Sequence, residues 1–307
     1  ATHTVDKFGG SDYTNITQAV ENASAGDTIK IASRTYHDNV TVNKKVTLIG
    51  GNYGVNLDDL YDCNDGDLVA KYSLDETNPS EVDDGVWCDD IPGDVEGAST
   101  AAGVWGNGLD FDGTNDYVEI DHDSVFNITS TISVSAWIYN EGDGDGDDQL
   151  IVGRWDLADQ DDGASWQLFL NKYGNPAELR PYFHVFDAGT CMSDNEVPSD
   201  EWILITATYD GSSIKLYEND ELVKTCSSSG SIPTSSKPLM IGAHDYVSSD
   251  NDYFDGKIDD VGLWSDALTS SEIEKIYWGG DFVKPVVNAS AGDFAFKLSA
   301  DEAELKH

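Results

Sequence analysis

Positive charge is scarce in this chain. Lys and Arg together number 17 in 307 residues, against 58 Asp and Glu, a formal net charge of −41 at pH 7. Nucleic acid and anionic membrane surfaces are therefore poor partners, because both are repelled. Long apolar runs are missing as well. No stretch approaches the roughly 18 consecutive apolar residues of a membrane-spanning helix. The start carries no signal-peptide pattern, which is expected of a mature or a cytosolic chain. Cysteines are few, at 63, 88, 191 and 226, and no Cys-x-x-Cys pair occurs. Zinc and thioredoxin-like chemistry are thereby disfavoured. There is no Gly-x-Ser-x-Gly elbow and no phosphate-binding loop, so an α/β-hydrolase site and a nucleotide site have no support. The six His are scattered at 3, 37, 122, 184, 244 and 307, without metal-ligand spacing.

What is present points to a folded acidic protein. Aromatic residues make up 10% of the chain and include eight Trp, more than disordered acidic chains carry. Of the 58 acids, 43 are Asp and 15 are Glu. High-salt adaptation, calcium binding and a merely solvated surface would each produce such a surplus. Many of the Asp stand in turns such as Asp112-Gly113, Asp210-Gly211 and Asp255-Gly256, where Asp is favoured for backbone reasons. Four cysteines allow three disulfide connectivities. Sequential pairing, Cys63–Cys88 and Cys191–Cys226, is expected because each closes a moderate loop. Five Asn-x-Ser/Thr sequons, at Asn15, Asn22, Asn39, Asn127 and Asn288, are candidate glycan attachment sites. Even cysteines, sequons and few lysines together favour an extracellular or cell-surface location.

Three segments can be separated: 1–62, 63–280 and a tail at 281–307. In the first, Ile16, Ala19, Val20 and Ala23 recur at i, i+3, i+4, i+7, which predicts a helix over 13–23. Short strands are predicted at 28–31, 39–42 and 46–49. From Gly9-Gly10-Ser11-Asp12-Tyr13 to Lys45-Val46-Thr47-Leu48-Ile49-Gly50, this stretch resembles the start of pectin-lyase-like parallel β-helix proteins. The resemblance implies a capping helix and one partial rung. It implies no activity, because the rungs that carry the catalytic residues do not follow.

The middle segment alternates short strands with Gly/Asp/Asn turns, the pattern of an all-β sandwich. Strands are predicted at 117–120, 132–139, 150–154, 166–171, 182–186, 202–209, 214–218, 221–225, 239–241 and 258–264, and a helix at 270–278. Three motifs then stand out: Gly108-Leu109-Asp110-Phe111-Asp112-Gly113-Thr114-Asn115-Asp116-Tyr117, Ile132-Ser133-Val134-Ser135-Ala136-Trp137-Ile138, and Phe254-Asp255-Gly256-Lys257-Ile258-Asp259-Asp260-Val261-Gly262-Leu263-Trp264. In order and spacing they resemble the laminin-G-like, concanavalin-A-like jelly roll, over some 210 residues. The resemblance implies a β-sandwich, with one structural calcium ion held at a sheet edge by Asp112 and by Asp259 or Asp260.

The concanavalin-A-like fold also hosts glycosidases that carry Glu-x-Asp-x-x-Glu on one strand. Here the nearest match is Glu119-Ile120-Asp121, with Ser124 where the second Glu is required, so no catalysis is expected. The loop Asp143-Gly144-Asp145-Gly146-Asp147-Asp148 starts like a calcium loop and then lacks its Gly and its final Glu. Sugars stack on aromatic rings, which makes Trp155, Trp166 and Tyr182 candidate glycan contacts near strand ends. In the tail, Phe294, Phe296 and Leu298 alternate with Ala295 and Lys297 as a half-buried strand would. A strand donated by that tail to an open rung of a neighbour would link copies head to tail. The leading expectation is thus a non-catalytic extracellular subunit of a self-assembling filament or surface layer. The alternative is a calcium-dependent carbohydrate-binding adhesin or lectin module.

Overall fold

The computed structural model describes residues 1–6, 11–31, 44–50, 67–75, 80–82, 91–104, 106–142, 148–154, 164–174, 178–244 and 252–278. The chain divides into two compact units, one of Ala1–Leu60 with Ser271–His307 and one of Tyr61–Ser270.

In the first unit, β1 (Thr2–Val5), α1 (Ile16–Asn22), β2 (Thr28–Ile31) and β3 (Thr47–Gly50) follow one another. The strands make a parallel sheet in the order β1-β2-β3, with His3, Ile29 and Leu48 in one register row. The helix starts at Asn15, whose side chain accepts the backbone N–H of Gln18 at 2.9 Å, an N-cap that satisfies one orphan donor. Its stripe of Ile16, Ala19 and Val20 joins Val5, Ile29, Ile31, Val46 and Leu48 in a small core. The expected strand at 39–42 lies outside the described residues. The helix α2 (Ser270–Trp278) falls almost wholly in this unit, whereas the sequence grouped it with the sandwich. Its Glu274 pairs with Lys30 of β2 at 2.7 Å.

The second unit holds β4 (Leu68–Tyr72), β5 (Glu81–Val82), β6 (Gly93–Glu96), β7 (Ser99–Ala102), β8 (Asn107–Asp112), β9 (Tyr117–Ile120), β10 (Ile132–Asn140), β11 (Asp148–Arg154), β12 (Trp166–Tyr173), β13 (Glu178–Val185), β14 (Gly189–Met192), β15 (Trp202–Tyr209), β16 (Ser213–Glu218), β17 (Glu221–Ser227), β18 (Leu239–Ile241) and β19 (Asp255–Trp264). They form two antiparallel sheets. The first runs β17-β16-β15-β10-β19-β8-β7, with β4 also paired to β19; the second runs β14-β13-β12-β11-β18-β9-β6-β5. This is the all-β sandwich expected of the resemblance. Successive strand side chains face opposite ways, so Val134, Ala136, Ile138, Ile205 and Ala207 of one sheet meet Leu168, Leu170, Phe183, Val185 and Ile241 of the other in a single core.

The two outward faces differ. On the first sheet the outward residues Ser133, Ser135 and Trp137 of β10 and Leu204, Thr206 and Thr208 of β15 are all buried, so these two central strands are withdrawn from water on both faces. On the second, the outward row retains exposed and half-buried residues from Thr190 to Glu81. The edge strands β14 and β17 are closed against each other by the Cys191–Cys226 disulfide, with Cα atoms 5.6 Å apart. This is the expected second pairing. Cys63 and Cys88 lie outside the described residues.

A bulge in β19 arranges the first sheet. Asp259 stands opposite Trp137 and Gly262 opposite Ser135, which leaves Asp260 and Val261 against the single residue Ala136. Asp260 takes a left-handed φ of 47°, a conformation that Asp tolerates better than bulkier residues. Before the bulge β19 pairs with β8, and after it with β4. The bulge is thus the point at which β19 changes neighbours.

Candidate functional site

The alternation of β12 and β13 fixes what the second sheet offers on its outward face. Trp166, Leu168 and Leu170 point into the core, so Gln167, Phe169 and Asn171 point out. On β13, Phe183 and Val185 point in, so Arg180, Tyr182 and His184 point out, and Phe186 continues the same side. Register pairing sets these residues in rows. Thr190, His184, Gln167, Gly153, Met240, Glu119, Asp94 and Glu81 form one row across all eight strands. Met192, Tyr182, Phe169 and Leu150 form the next.

The second row is apolar. Phe169 and Tyr182 lie with ring centroids 4.7 Å apart, and His184 stands 6.2 Å from Phe186. Leu150, Phe169 and Met240 form a cluster of their own, with Tyr117 and Tyr182 half-buried against it. The first row is polar at one end and acidic at the other. Gln167 is 7% exposed, and its buried Oε1 takes no hydrogen bond. A buried unpaired acceptor costs about 1–3 kcal/mol unless something supplies a donor. Burial pushes the His184 imidazole below its ordinary pKa, so it is neutral at pH 7 and both donates and accepts. Gly153 has no room for a larger residue, since a Cβ there would stand 2.9 Å from Gln167 Cβ. Beyond Tyr182 on the same strand, the Arg180 guanidinium bonds Glu178 twice, at 2.5 and 3.1 Å, and lies 4.7 Å from the Tyr173 ring centre. Tyr173 itself is 49% exposed.

The expected glycan contacts are thus sorted. Tyr182 is half-buried on the outward face. Trp166 is corrected: it is fully buried between the sheets, 6.5 Å from Phe183, and offers no ring to a sugar. Trp155 lies outside the described residues. Gln167, Phe169, His184 and Phe186 are the residues that the sequence reasoning missed. The signal available for them was a Phe at the outward position of an otherwise regular inward alternation in β12.

The three expected calcium ligands each have another partner. Asp112 accepts the Thr114 N–H in its own turn, at 2.9 Å. Asp259 is buried and accepts the Val104 N–H at 2.6 Å, while Asp260 pairs with Lys71 at 2.8 Å. Among the described residues no group of three metal-binding side chains gathers. These Asp serve the turn and the bulge through their protein partners. Of the sequon residues, Asn15 caps α1, and Asn22 is exposed and donates to Gln18 O at 2.8 Å. Asn127 is half-buried, with its Oδ1 between Arg154 and Ser235. Asn39 and Asn288 lie outside the described residues, as do Phe294, Phe296 and Leu298. No helix among the described residues is long and apolar enough to cross a membrane.

Residues 112–274, more than half of the chain, match the family described as the concanavalin A-like lectin/glucanases superfamily. The pectin-lyase-like resemblance of the first 62 residues is not part of that match. No curated protein matches the sequence. Among solved structures, the chain is similar to domain 4 of AbnA, an extracellular GH43 arabinanase from Geobacillus stearothermophilus, solved in complex with arabinotriose. Identity there is 18% and the TM-score 0.51, over 68% of this chain and 98% of that one. It is also similar to the binding domain of Paraclostridial Mosquitocidal Protein 1, at 15% identity and a TM-score of 0.53. A third likeness is to the botulinum neurotoxin serotype D binding domain, at 14% and 0.51. Both of these matches cover 69% of this chain, and the chain spans about half of each toxin domain, 52%. At such identities the likeness shows the fold, and together with the family match it places the chain in the concanavalin A-like lectin/glucanase superfamily.

Proposed function

We propose that this protein is a non-catalytic glycan-binding module of a secreted or surface protein, and that it binds through the outward face of its second sheet. The observation that carries the reading is the buried, unpaired Gln167 Oε1 in the row beside the Tyr182–Phe169 ring pair. A sugar offers an apolar C–H face and a rim of hydroxyls. The half-buried Tyr182, backed by the buried Phe169, suits the first, while Gln167, neutral His184 and Thr190 suit the second. The arabinanase domain of the same fold, solved with arabinotriose, supports the reading. So does the Cys191–Cys226 disulfide, which favours an oxidising compartment. Binding without turnover fits the single Glu119 on β9, where hydrolysis by the usual route needs a carboxyl pair.

A glycan array followed by calorimetric titration of the best hit tests this. The wild type is expected to bind a restricted set of glycans. Tyr182→Ala and Gln167→Ala are expected to weaken that binding about tenfold or more, at one to two kcal/mol per lost stacking or hydrogen-bond contact. Leu222→Ser, an exposed change on edge strand β17, is expected to leave it unaltered. Silence across the array, or binding indifferent to Tyr182 and Gln167, rejects the proposal.

A further inference from the structure

Resting on that reading, we infer that the face selects neutral glycans over acidic ones, and that Glu178 enforces the choice by occupying Arg180. The ring pair Tyr182 and Phe169, its row neighbour Met192 and the row on one side, Thr190, His184 and Gln167, include no carboxylate, lysine or arginine; the row on the other side is Arg180, Asn171 and Asp148. An acidic sugar, a sialate or a uronate, needs a cationic donor to replace the water lost by its carboxylate.

Only three cations stand on the described parts of the second sheet's strands, and none is free for that task. Arg154 is fully buried and spends its donors on the carbonyl oxygens of Phe126, Ser235 and Lys237, on Asn127 Oδ1 and on His122 Nδ1. Lys172 stands in register with Leu179, whose side chain joins the core, and therefore lies off the outward face. Arg180 is the near one, two residues from Tyr182 on the same face. Its guanidinium is held in a two-bond pair by Glu178 and laid over Tyr173.

Charge at a distance is the competing explanation, since the protein carries −41 and the same register row ends in Glu119, Asp94 and Glu81. Distance decides between the two. The nearer carboxylates are engaged, Asp148 accepting the Asn171 amide at 2.6 Å and Glu178 pairing with Arg180, while Glu119 stands three strands from Gln167, roughly 14 Å at about 4.8 Å per strand, which exceeds the screening length of about 8 Å at physiological salt. Long-range repulsion is therefore mostly screened, and the missing cationic partner governs. Selectivity should then survive high salt.

The experiment uses matched pairs, lactose with sialyllactose and galacto-oligosaccharide with oligogalacturonate, beside the best neutral hit from the array, titrated in 0.05 M and in 1 M NaCl. The wild type is expected to bind neutral members only, at both salts. Glu178→Gln frees Arg180 and is expected to improve binding of acidic members roughly tenfold or more, with neutral binding within about twofold and an unchanged circular dichroism spectrum. A Glu178→Gln, Arg180→Gln double variant should lose that gain. Wild-type binding of an acidic glycan that disappears in Tyr182→Ala overturns the inference and leaves the glycan reading standing. So does the absence of any gain in Glu178→Gln. Acidic binding that appears in the wild type only at 1 M NaCl assigns the exclusion to long-range charge and overturns it too. If no glycan of either class binds, the glycan reading falls and takes this inference with it.

Discussion

Two buried ionisable residues show how this fold handles charge. Arg154 has no carboxylate partner among the interactions of the described residues; its guanidinium is caged by neutral acceptors at 2.7 to 3.3 Å and stands over the Phe126 ring. Burial lowers its pKa to about 10, so it remains charged at neutral pH. The cage ties the turn at 122–127 and the segment at 235–237 to the end of β11. Arg154→Met would strip donors from several buried carbonyls at once. A loss of about 3 kcal/mol or more is expected, at roughly 1–3 kcal/mol per orphaned group, and urea unfolding at pH 7 measures it. Asp116 behaves oppositely. Desolvation raises its pKa, with Asp112 and Asp110 adding like-charge repulsion, while the Asp112 N–H bond to Oδ2 opposes them. A carboxyl raised in the native state takes up a proton on folding in the window between its ordinary and its native pKa, so it costs stability above that window and less below it. Asp116→Asn keeps an acceptor oxygen for the Asp112 N–H and removes the charge. It is expected to raise the melting temperature at pH 7, and the advantage should vanish as pH falls below about 4, the ordinary range of an aspartate. An equal gain at pH 3 and pH 7 would show that charge is not the cause.

At the scale of strands, the disulfide and the bulge are the devices that complete the sandwich. Cys191 on β14 and Cys226 on β17 are separated by 35 residues and join the edge strands of opposite sheets. In the chain-entropy view, a loop of that length is worth about 3–4 kcal/mol. The Cys191→Ser, Cys226→Ser pair is expected to lose about that much in denaturant unfolding while its far-ultraviolet circular dichroism stays that of a β protein. Loss of under about 1 kcal/mol would show that the edges hold without the staple. Legibility in the sequence follows the same physics. The strands β9, β15 and β18 match their expected bounds because apolar and β-branched residues fill them, and the helix α2 matches because Ile273, Ile276 and Tyr277 recur at helical spacing among polar residues. The strands β5, β6 and β7 went unpredicted. Gly93-Asp94-Val95-Glu96 and Ser99-Thr100-Ala101-Ala102 are short and carry little apolar contrast, so only pairing with β9 and β8 makes them strands. The site was less legible than the fold. Trp166 and Gln167 are adjacent, and which of them faces out depends on the register of β12 between β11 and β13, a long-range fact. The protein partners of Asp259 and Asp260, which the resemblance offered as alternative calcium ligands, were hidden for a related reason. No local pattern announces that β19 changes neighbours there and gives each carboxylate a protein partner.

The whole molecule is governed by its charge. With 58 acids against 17 Lys and Arg, pairing is limited by the supply of cations, and the pairs that do form among the described residues are mostly at the surface. Lys224–Asp194 at 2.6 Å and Lys215–Asp210 at 3.4 Å are examples. Such exposed pairs contribute little each, about 0–1 kcal/mol, so they cannot offset the mutual repulsion of the remaining carboxylates. Unfolding lets those carboxylates spread apart, and self-repulsion therefore favours the unfolded chain at low ionic strength. Salt acts on this term directly, since the screening length falls from about 10 Å at 0.1 M to about 3 Å at 1 M. The melting temperature is expected to rise by several degrees as NaCl increases from 0.05 to 1 M, and most of the rise should come where the screening length passes below the spacing of surface carboxylates. If specific ion pairs instead dominated the electrostatics, salt would screen attraction and the melting temperature would fall. Potassium chloride and sodium chloride should act alike at equal ionic strength, because screening does not distinguish them. Sodium sulfate at matched ionic strength separates this effect from the hydrophobic one: a far larger rise in sulfate would assign the gain to strengthened apolar burial and not to screened charge.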